Sequence, residues 1–383
     1  MLSSNLFHLT DEELDLTNKL SCIIREEIDN SNGSIPFSKY MELALYHKEF
    51  GYYNNLLFKF GSAGDFVTAP LVSELFAKCL SNQVTELFSH VPIKNILEIG
   101  AGNGQLMLDI LSNIGDTINY YYILDLSANL TNLQYNRLKS ELPQYINKVK
   151  WLNSLPNNFE GIIIGNEVLD AQPCESYIID NGELFRREVA YANDQFYYVS
   201  KLLNDCEDID YIKRISLATD NYIIDINMNN RWFIKSIAQC LNKGCAIFVD
   251  YGYGQREFYS LNHSKGTIRG FFRQQQLDDV LIYPGLIDIT SSVNFTSIAE
   301  AAVENGIDLI DYTSQGAFLI NCGILDYVGK TKDTLEQLQL SNQVNRLISP
   351  NEMGQIFKVI GFSKNVDFRD WIGFKDFSLS YSL

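Results

Sequence analysis

The 383-residue sequence predicts an α/β fold: a mostly parallel sheet covered by helices on both faces. Three observations predict it. From residue 94 onward, short apolar segments alternate with segments of helical periodicity, the order that parallel strands joined by crossover helices require. A glycine-rich turn, Gly100-Ala101-Gly102-Asn103-Gly104, falls where the first of those strands becomes a helix. The second strand ends on a carboxylate, Asp125, where open α/β sheets meet their ligands.

The elements follow in chain order. Residues 9–29 read as a helix, because Leu16, Leu20, Ile23, Ile24 and Ile28 recur at helical spacing among acids. Asn30-Ser31-Asn32-Gly33 ends it. A second helix is expected over 36–49, opened by Pro36, and a third over 71–89. Asn95–Ile99 is a short apolar strand, Gln105–Leu111 a helix and Tyr120–Leu124 a strand. A helix over 128–140 and a weak strand at Val149–Leu152 come next. Gly161–Ile164, wholly apolar, reads as a central strand. Three alternating segments at 176–180, 184–189 and 196–199, with Asn181-Gly182 as a hairpin turn, read as an antiparallel insertion. A helix at 231–241 and the strand Cys245–Val249 resume the alternation. A loop over 251–293, a helix near 294–305, a helical region at 316–347 and a last strand at Gln355–Ile360 complete it. The expected organisation is a helical N-terminal region over 1–92 and a core over 93–383, with insertions at about 174–230 and 316–348.

Composition narrows the function. Apolar residues make up 46% and charged residues 20%, a globular balance. The 30 Lys and Arg stand against 47 Asp and Glu, a net charge of −17. That argues against a protein that coats nucleic acid or an anionic membrane, since both need a basic face. No stretch approaches the ~18–20 apolar residues that span a bilayer. The first residues lack both a basic, apolar leader pattern and Arg, so neither a secretory nor a mitochondrial signal is expected. Seven dispersed cysteines read as reduced thiols, and the expected location is cytoplasmic. The four histidines form no local metal motif, so no metal site is expected.

The turn Glu98-Ile99-Gly100-Ala101-Gly102-Asn103-Gly104 carries the first chemistry. Glycines there permit backbone angles that a Cβ forbids and let the main chain approach a ligand. The spacing is G-x-G-x-G rather than the G-x-G-x-x-G of dinucleotide binders, with Gln105 where their third Gly would stand. Asp125 lies 21 residues past Gly104, placed to accept two ribose hydroxyls. Glu98, Gly100, Gly102, Gly104 and Asp125 together suit S-adenosyl-L-methionine (SAM), which has ribose hydroxyls and no phosphate. A nicotinamide cofactor, and with it an oxidoreductase, is the rival.

Asn166-Glu167-Val168-Leu169-Asp170-Ala171-Gln172-Pro173 follows the central strand and faces the same crevice. It offers an amide and two carboxylates, and a guanidinium docks bidentately on carboxylates. Capping of a following helix is the structural alternative for Glu167 and Asp170.

These blocks resemble the MidA family of SAM-dependent methyltransferases, which includes the mitochondrial complex I assembly-factor methyltransferase. The resemblance rests on residues 37–47, Gly51-Tyr52-Tyr53, Gly64-Asp65-Phe66-Val67-Thr68-Ala69-Pro70, Glu98–Gly104 and Asn166–Pro173. It also rests on Asp250-Tyr251-Gly252-Tyr253, Gly266-Thr267-Ile268-Arg269, Pro284-Gly285 with Asp288-Ile289-Thr290, Thr313–Phe318 and Met353–Val359. Ala101 and Asp125 depart from the family's usual Pro and Glu. The resemblance implies a class I fold, a Rossmann-like seven-stranded sheet with a helical N-terminal region. It implies SAM as donor, with S-adenosyl-L-homocysteine (SAH) as product, and an arginine-bearing protein substrate of the respiratory complex I type. It also turns the loop with Asp65 and Thr68 into a flap offering polar contacts to the cofactor.

The expected catalytic residues are Glu167, Asp170 and Asn166. Tyr40, Tyr46, Tyr52 and Tyr53 read as core, with a substrate wall as the alternative. His263, Lys265, Arg269 and Arg273, interleaved with Phe271 and Phe272, read as a solvated basic face rather than a nucleic-acid contact. An assembly protein that binds SAM without turnover is a further alternative. The aromatic-rich residues after 365 suit a cavity cover or a homodimer contact.

Overall fold

The computed structural model describes residues 7–55, 57, 68–203, 211–212, 220–328 and 334–383. The chain starts with α1 (Asp11–Asn30), the two-residue strand β1 (Ile35–Pro36) and α2 (Phe37–Tyr46). A single turn, α3 (Ala69–Val72), precedes α4 (Glu74–Leu87). The one helix expected over 71–89 is therefore broken. Ser73 takes extended angles and its hydroxyl accepts from Leu75 N at 3.2 Å, so it caps a new helix instead of continuing the old one.

The α/β alternation comprises β2 (Ile96–Ile99), α5 (Gln105–Ile114), β3 (Tyr121–Leu124), α6 (Ala128–Glu141), β4 (Val149–Leu152) and β5 (Phe159–Asn166). Next come β6 (Glu175–Asp180), β7 (Glu183–Ala192), β8 (Gln195–Leu202) and β9 (Tyr222–Ile226). With β1 they make a five-stranded antiparallel sheet of their own. A helix at Met228–Cys240 leads back into β10 (Leu241–Tyr253). The segment 251–293, read from sequence as loop, instead contains β11 (Arg269–Phe272), β12 (Gln275–Leu277) and β13 (Asp288–Thr290), a small antiparallel sheet. Its strands are short and share apolar and polar faces, so their signal does not rise above a turn-rich background. Then follow β14 (Val293–Asn294), a helix at Phe295–Glu304, β15 (Asp308–Ser314), helices at Gln315–Asn321 and Thr334–Ile348, and β16 (Phe357–Lys364). The polar strand β15 also escapes sequence reading, because Asp308 and Asp311 interrupt its pattern.

The main sheet has the order β15-β16-β10-β5-β2-β3-β4, with β14 added to the end of β10. β4, β3, β2, β5 and β10 are parallel, while β16 runs antiparallel to both its neighbours. This is the seven-stranded class I arrangement. The order reverses between β2 and β5, so the switch point lies beyond Ile99 and Asn166. One hydrophobic cluster packs α4 and α5 on the sheet, and a second packs the helices at 228–240 and 295–304 on its other face. A third joins α1 and α2 to residues 268–289.

The central strands β5 and β10 meet near their starts at a pair of glycines. Gly244 pairs with Gly161, and a Cβ on Gly244 would stand 1.9 Å from the Gly161 carbonyl oxygen. Both have positive φ, +139° at Gly161 and +151° at Gly244. Gly306, at φ +76°, has nothing within 4 Å of such a Cβ. Gly244→Ala is expected to cost about 3 kcal/mol or more, from clash added to backbone strain. Gly306→Ala should cost only the strain, about 1 kcal/mol. Denaturant unfolding of the two variants checks the difference.

Candidate active site

A cleft of about 850 Å³ opens at the switch point. Its floor is the glycine turn. Gly100, Gly102 and Gly104 have φ of +67°, +55° and +81°, a region where side chains are strained. A Cβ on Gly100 would lie 2.8 Å from Val168 Cγ1, so this turn meets the loop after β5 with no room to spare.

Asp125 lines the cleft at the end of β3. Its Oδ1 accepts from Ser127 N at 3.0 Å and its Oδ2 from Gln134 Nε2 at 2.9 Å. Gln134 is wholly buried on α6; its Nε2 also donates to Gly102 O at 2.8 Å, and its Oε1 accepts from Trp151 Nε1 at 2.9 Å. One amide thus ties the turn, the carboxylate and β4 together. Sequence reasoning missed Gln134. The available signal was a polar residue on the buried stripe of a helix, four residues before Leu138, where it needs partners. Glu98 also lines the cleft, accepts from Tyr121 Oη at 2.7 Å, and is pushed up to about 7 by burial.

The loop after β5 forms the second wall, with Asn166, Glu167 and Asp170 all lining the cleft. Glu167 takes φ +53° and its N–H donates to Val249 O at 2.8 Å. No helix follows: the segment runs through turns into β6, so helix capping by Glu167 or Asp170 drops out. Asn166 Nδ2 donates to Glu167 Oε1 at 3.0 Å, and the Ala69 backbone N–H also donates to this carboxylate. Burial pushes Glu167 up to about 8, with Asp170 adding to the effect. Asp170 is 6% exposed and raised well above the carboxylate range, by burial and then by Asp250 and Asp288. Neither Asp170 Oδ1 nor Asn166 Oδ1 has a hydrogen-bond partner among the described residues. Beneath the loop, Asp250 Oδ2 accepts from Leu169 N at 2.9 Å and Asp170 N at 3.3 Å.

The third wall is one face of the small antiparallel sheet. Residues directly opposite share a face, and faces alternate along a strand. Arg269 opposes Thr290, and Phe271 opposes Asp288 and Gln276; all five line the cleft. Gly270, Phe272 and Ile289 point the other way, and Phe272 and Ile289 enter the third core cluster. This corrects the reading of residues 263–273 as a solvated basic face. Arg269 and Phe271 face the cleft with His263, whereas Arg273 pairs with Glu13 and Lys265 is exposed. Strand alternation sorts the run in a way its composition could not reveal.

The N-terminal region supplies the fourth wall. Tyr46 and Tyr53 line the cleft and stack at 5.4 Å, while Tyr40 and Tyr52 are core. Tyr46 Oη donates to Ala171 O and Tyr53 Oη to Asp288 Oδ1, both at 2.9 Å. Thr68 lines the cleft; Asp65 lies outside the described residues. Among the described lining residues are five carboxylates (Glu98, Asp125, Glu167, Asp170 and Asp288) and one arginine, Arg269. The glycines, Asp125 and this acidity fit SAM: a nucleoside without phosphate, carrying a cationic sulfur.

Comparison with known proteins agrees with that fit. The family model Methyltransf_28, for S-adenosyl-L-methionine-dependent methyltransferases, matches residues 79–313. A crystal structure from Burkholderia thailandensis bound to S-adenosyl-homocysteine is similar at TM-score 0.94 and 34% identity, covering 99% of this chain and 100% of that one. The protein arginine methyltransferase NDUFAF7 of Xenopus laevis is 27% identical over 379 residues, covering 86% of this chain and 80% of that protein. Its human counterpart is 24% identical over 367 residues, covering 85% and 79%. Both relatives are named as mitochondrial, and the cytoplasmic location expected from the sequence is withdrawn on that finding. SAM replaces the nicotinamide alternative. The chain belongs to the MidA-type family of SAM-dependent methyltransferases and is an enzyme of that class.

Proposed function

We propose that this methyltransferase acts on an arginine side chain of a protein partner. The observation that carries the reading is the group of carboxylates Glu167, Asp170 and Asp288 in the cleft, where Asp170 Oδ1 and the Asn166 amide oxygen have no hydrogen-bond partner among the described residues. Buried acids that crowd one another gain most from a cation rich in N–H donors, and a guanidinium has five. The two relatives, both protein arginine methyltransferases by name, point the same way. A respiratory complex I subunit is the partner class that the family resemblance implies.

Asp125 is placed to hold the ribose hydroxyls, and Gln134 to orient Asp125. The glycine turn gives the nucleoside close backbone contact. Thr68, at the end of the loop before Ala69, offers a polar contact from above. Bound SAM supplies a methyl group on a positively charged sulfur. The protein's task is to align a nitrogen behind that carbon, a proximity effect. A guanidinium is a poor nucleophile, because its charge is delocalised. Glu167 and Asp170 accept its N–H groups and localise that charge, and Asn166 shapes the pocket beside them. The nitrogen takes the methyl group as the methyl–sulfur bond breaks and SAH is left, and it gives up a proton, for which Glu167 is the acceptor.

Labelled SAM, an unfractionated protein extract and identification of the methylated residue test the reading; label on a residue other than arginine overturns it. Asp125→Ala should weaken SAH binding about 100-fold, through two lost charge-assisted hydrogen bonds, and Gln134→Ala about tenfold. Calorimetric titration measures both.

The pH dependence has a definite sign. Glu167 is raised to about 8, so in the free enzyme it is protonated below that pH and can neither hold a cation nor accept a proton. The value of kcat/KM should therefore rise about tenfold per pH unit up to about 8 and then level off. Glu167→Gln should remove that limb and lower kcat/KM about 100-fold or more. Unchanged transfer to arginine in this variant means that Glu167 does not have the role.

A further inference from the structure

Arg269 is the one arginine among the described residues of a cleft that otherwise presents carboxylates. No step of the methyl transfer uses it. Its backbone is held firmly. Asp225, 4% exposed on β9, accepts from Thr267 N at 2.5 Å and from Ile268 N at 3.2 Å. Gly266 passes so close that a Cβ there would stand 2.6 Å from Asp225 Oδ2. The chain therefore enters β11 on a fixed path, and pairing with Thr290 sets the face on which Arg269 emerges.

The side chain is far less committed. Arg269 Nη1 donates to Ile268 O at 2.6 Å, and Nε lies 3.9 Å from Asp278 Oδ1. The second contact is too long for a hydrogen bond. Asp278 is also 93% exposed, where an ion pair contributes little. A guanidinium has five N–H donors, so most of them have no protein acceptor among the described residues. The charge of Arg269 is felt at Tyr253, whose hydroxyl it holds down against the rise that burial and Glu257 cause. Tyr253 ends β10 and Phe357 opens β16, and both line the cleft. In the sheet these two strands lie on the opposite side of β5 from β2 and β3, which lead into the glycine turn and Asp125. Strands are about 4.8 Å apart, so β10 is roughly 10 Å from β2. Arg269 thus belongs to the end of the cleft away from the glycine turn.

We infer that Arg269 recognises a carboxylate of the protein substrate, an aspartate or glutamate side chain a few residues from the methylated arginine. The planar fork of a guanidinium matches a carboxylate bidentately. A positive group in the cleft repels a guanidinium that arrives alone and accepts one that arrives with an acid beside it. Arg269 is therefore a specificity determinant, which selects among arginines by their neighbours.

This inference rests on the arginine reading above. The test is a double-mutant cycle between Arg269→Gln and the substrate, using labelled SAM and the protein that the extract labelling identifies, purified. Each acid within about four residues of the labelled position, roughly 14 Å of extended chain, is replaced singly by its amide. Arg269→Gln keeps N–H donors and removes the charge. It should raise KM for the protein substrate at least about tenfold, with kcat within about twofold and SAH affinity unchanged. One acid-to-amide exchange should raise the KM of the parent enzyme by a similar factor, and that of Arg269→Gln by less than about twofold. A merely structural role for Arg269 would leave the two effects additive, and additivity for every acid overturns the inference. A parallel loss of SAH affinity in Arg269→Gln also overturns it, because the carboxylate recognised would then be the cofactor's own. Should Arg269→Gln fail to fold, the parent enzyme decides: an exchange that raises KM about tenfold supports the pairing, and the lack of any such exchange overturns it. Label on a residue other than arginine overturns the underlying reading alone, since the cycle is run around whichever residue is labelled. Label on no protein overturns both.

Discussion

The loop after β5 depends on one buried carboxylate. Asp250 is fully inaccessible at the end of β10. Its Oδ1 accepts from Tyr251 N at 2.9 Å, and its Oδ2 from the N–H groups of Leu169 and Asp170. Burial raises its proton affinity to about 8, and these three donors offset only part of the rise. A buried acid of this kind is tolerable because backbone N–H groups satisfy its oxygens. In return it fixes the path of residues 167–170, which otherwise have no helix or strand to hold them. Ser291 N and Asn230 Nδ2 complete the anchorage, at Asp170 O and Leu169 O. Glu167 and Asp170 can therefore face the cleft as a preorganised pair, since their backbone is not free to relax away from their mutual repulsion.

The two halves of the cleft are built by different means. On the side of the glycine turn, backbone conformation dominates: three glycines with positive φ, one strand-end carboxylate and one buried amide that joins them. On the other side, side chains dominate, drawn from four parts of the chain that are far apart in sequence. The loop after β5, the small sheet, the end of β10 and the N-terminal tyrosines meet only there. The acidity of that side makes it receptive to cations, and the raised proton affinities of Glu167 and Asp170 express the same energy.

Much of this was legible in the sequence. The strands that form the parallel part of the sheet are apolar and bounded by turn residues, so periodicity alone finds β2, β3, β5 and β10. That Asn166, Glu167 and Asp170 line the cleft was legible because strand ends in an α/β sheet border its crevice. What escaped has common causes. β11, β13 and β15 are short or polar, and their burial comes from neighbours remote in sequence. Gln134 looked like any other helix residue until its three partners converged on it. Arg269 and Phe271 looked like a surface run, because their facing depends on pairing with β13.

By itself the sequence determined the fold class, the glycine turn and the strand-end acids, because these follow from local backbone geometry and periodicity within a few residues. The cofactor class could be read from the same local features. The tertiary structure alone decided which tyrosines enter the cleft, which of the basic residues line it, and that Asp250 and Asp288 join the acids of the loop. Those outcomes depend on strand register and on contacts across more than a hundred residues, such as Tyr53 to Asp288. No local pattern encodes them, because the free energy of a buried charge is set by what surrounds it in space.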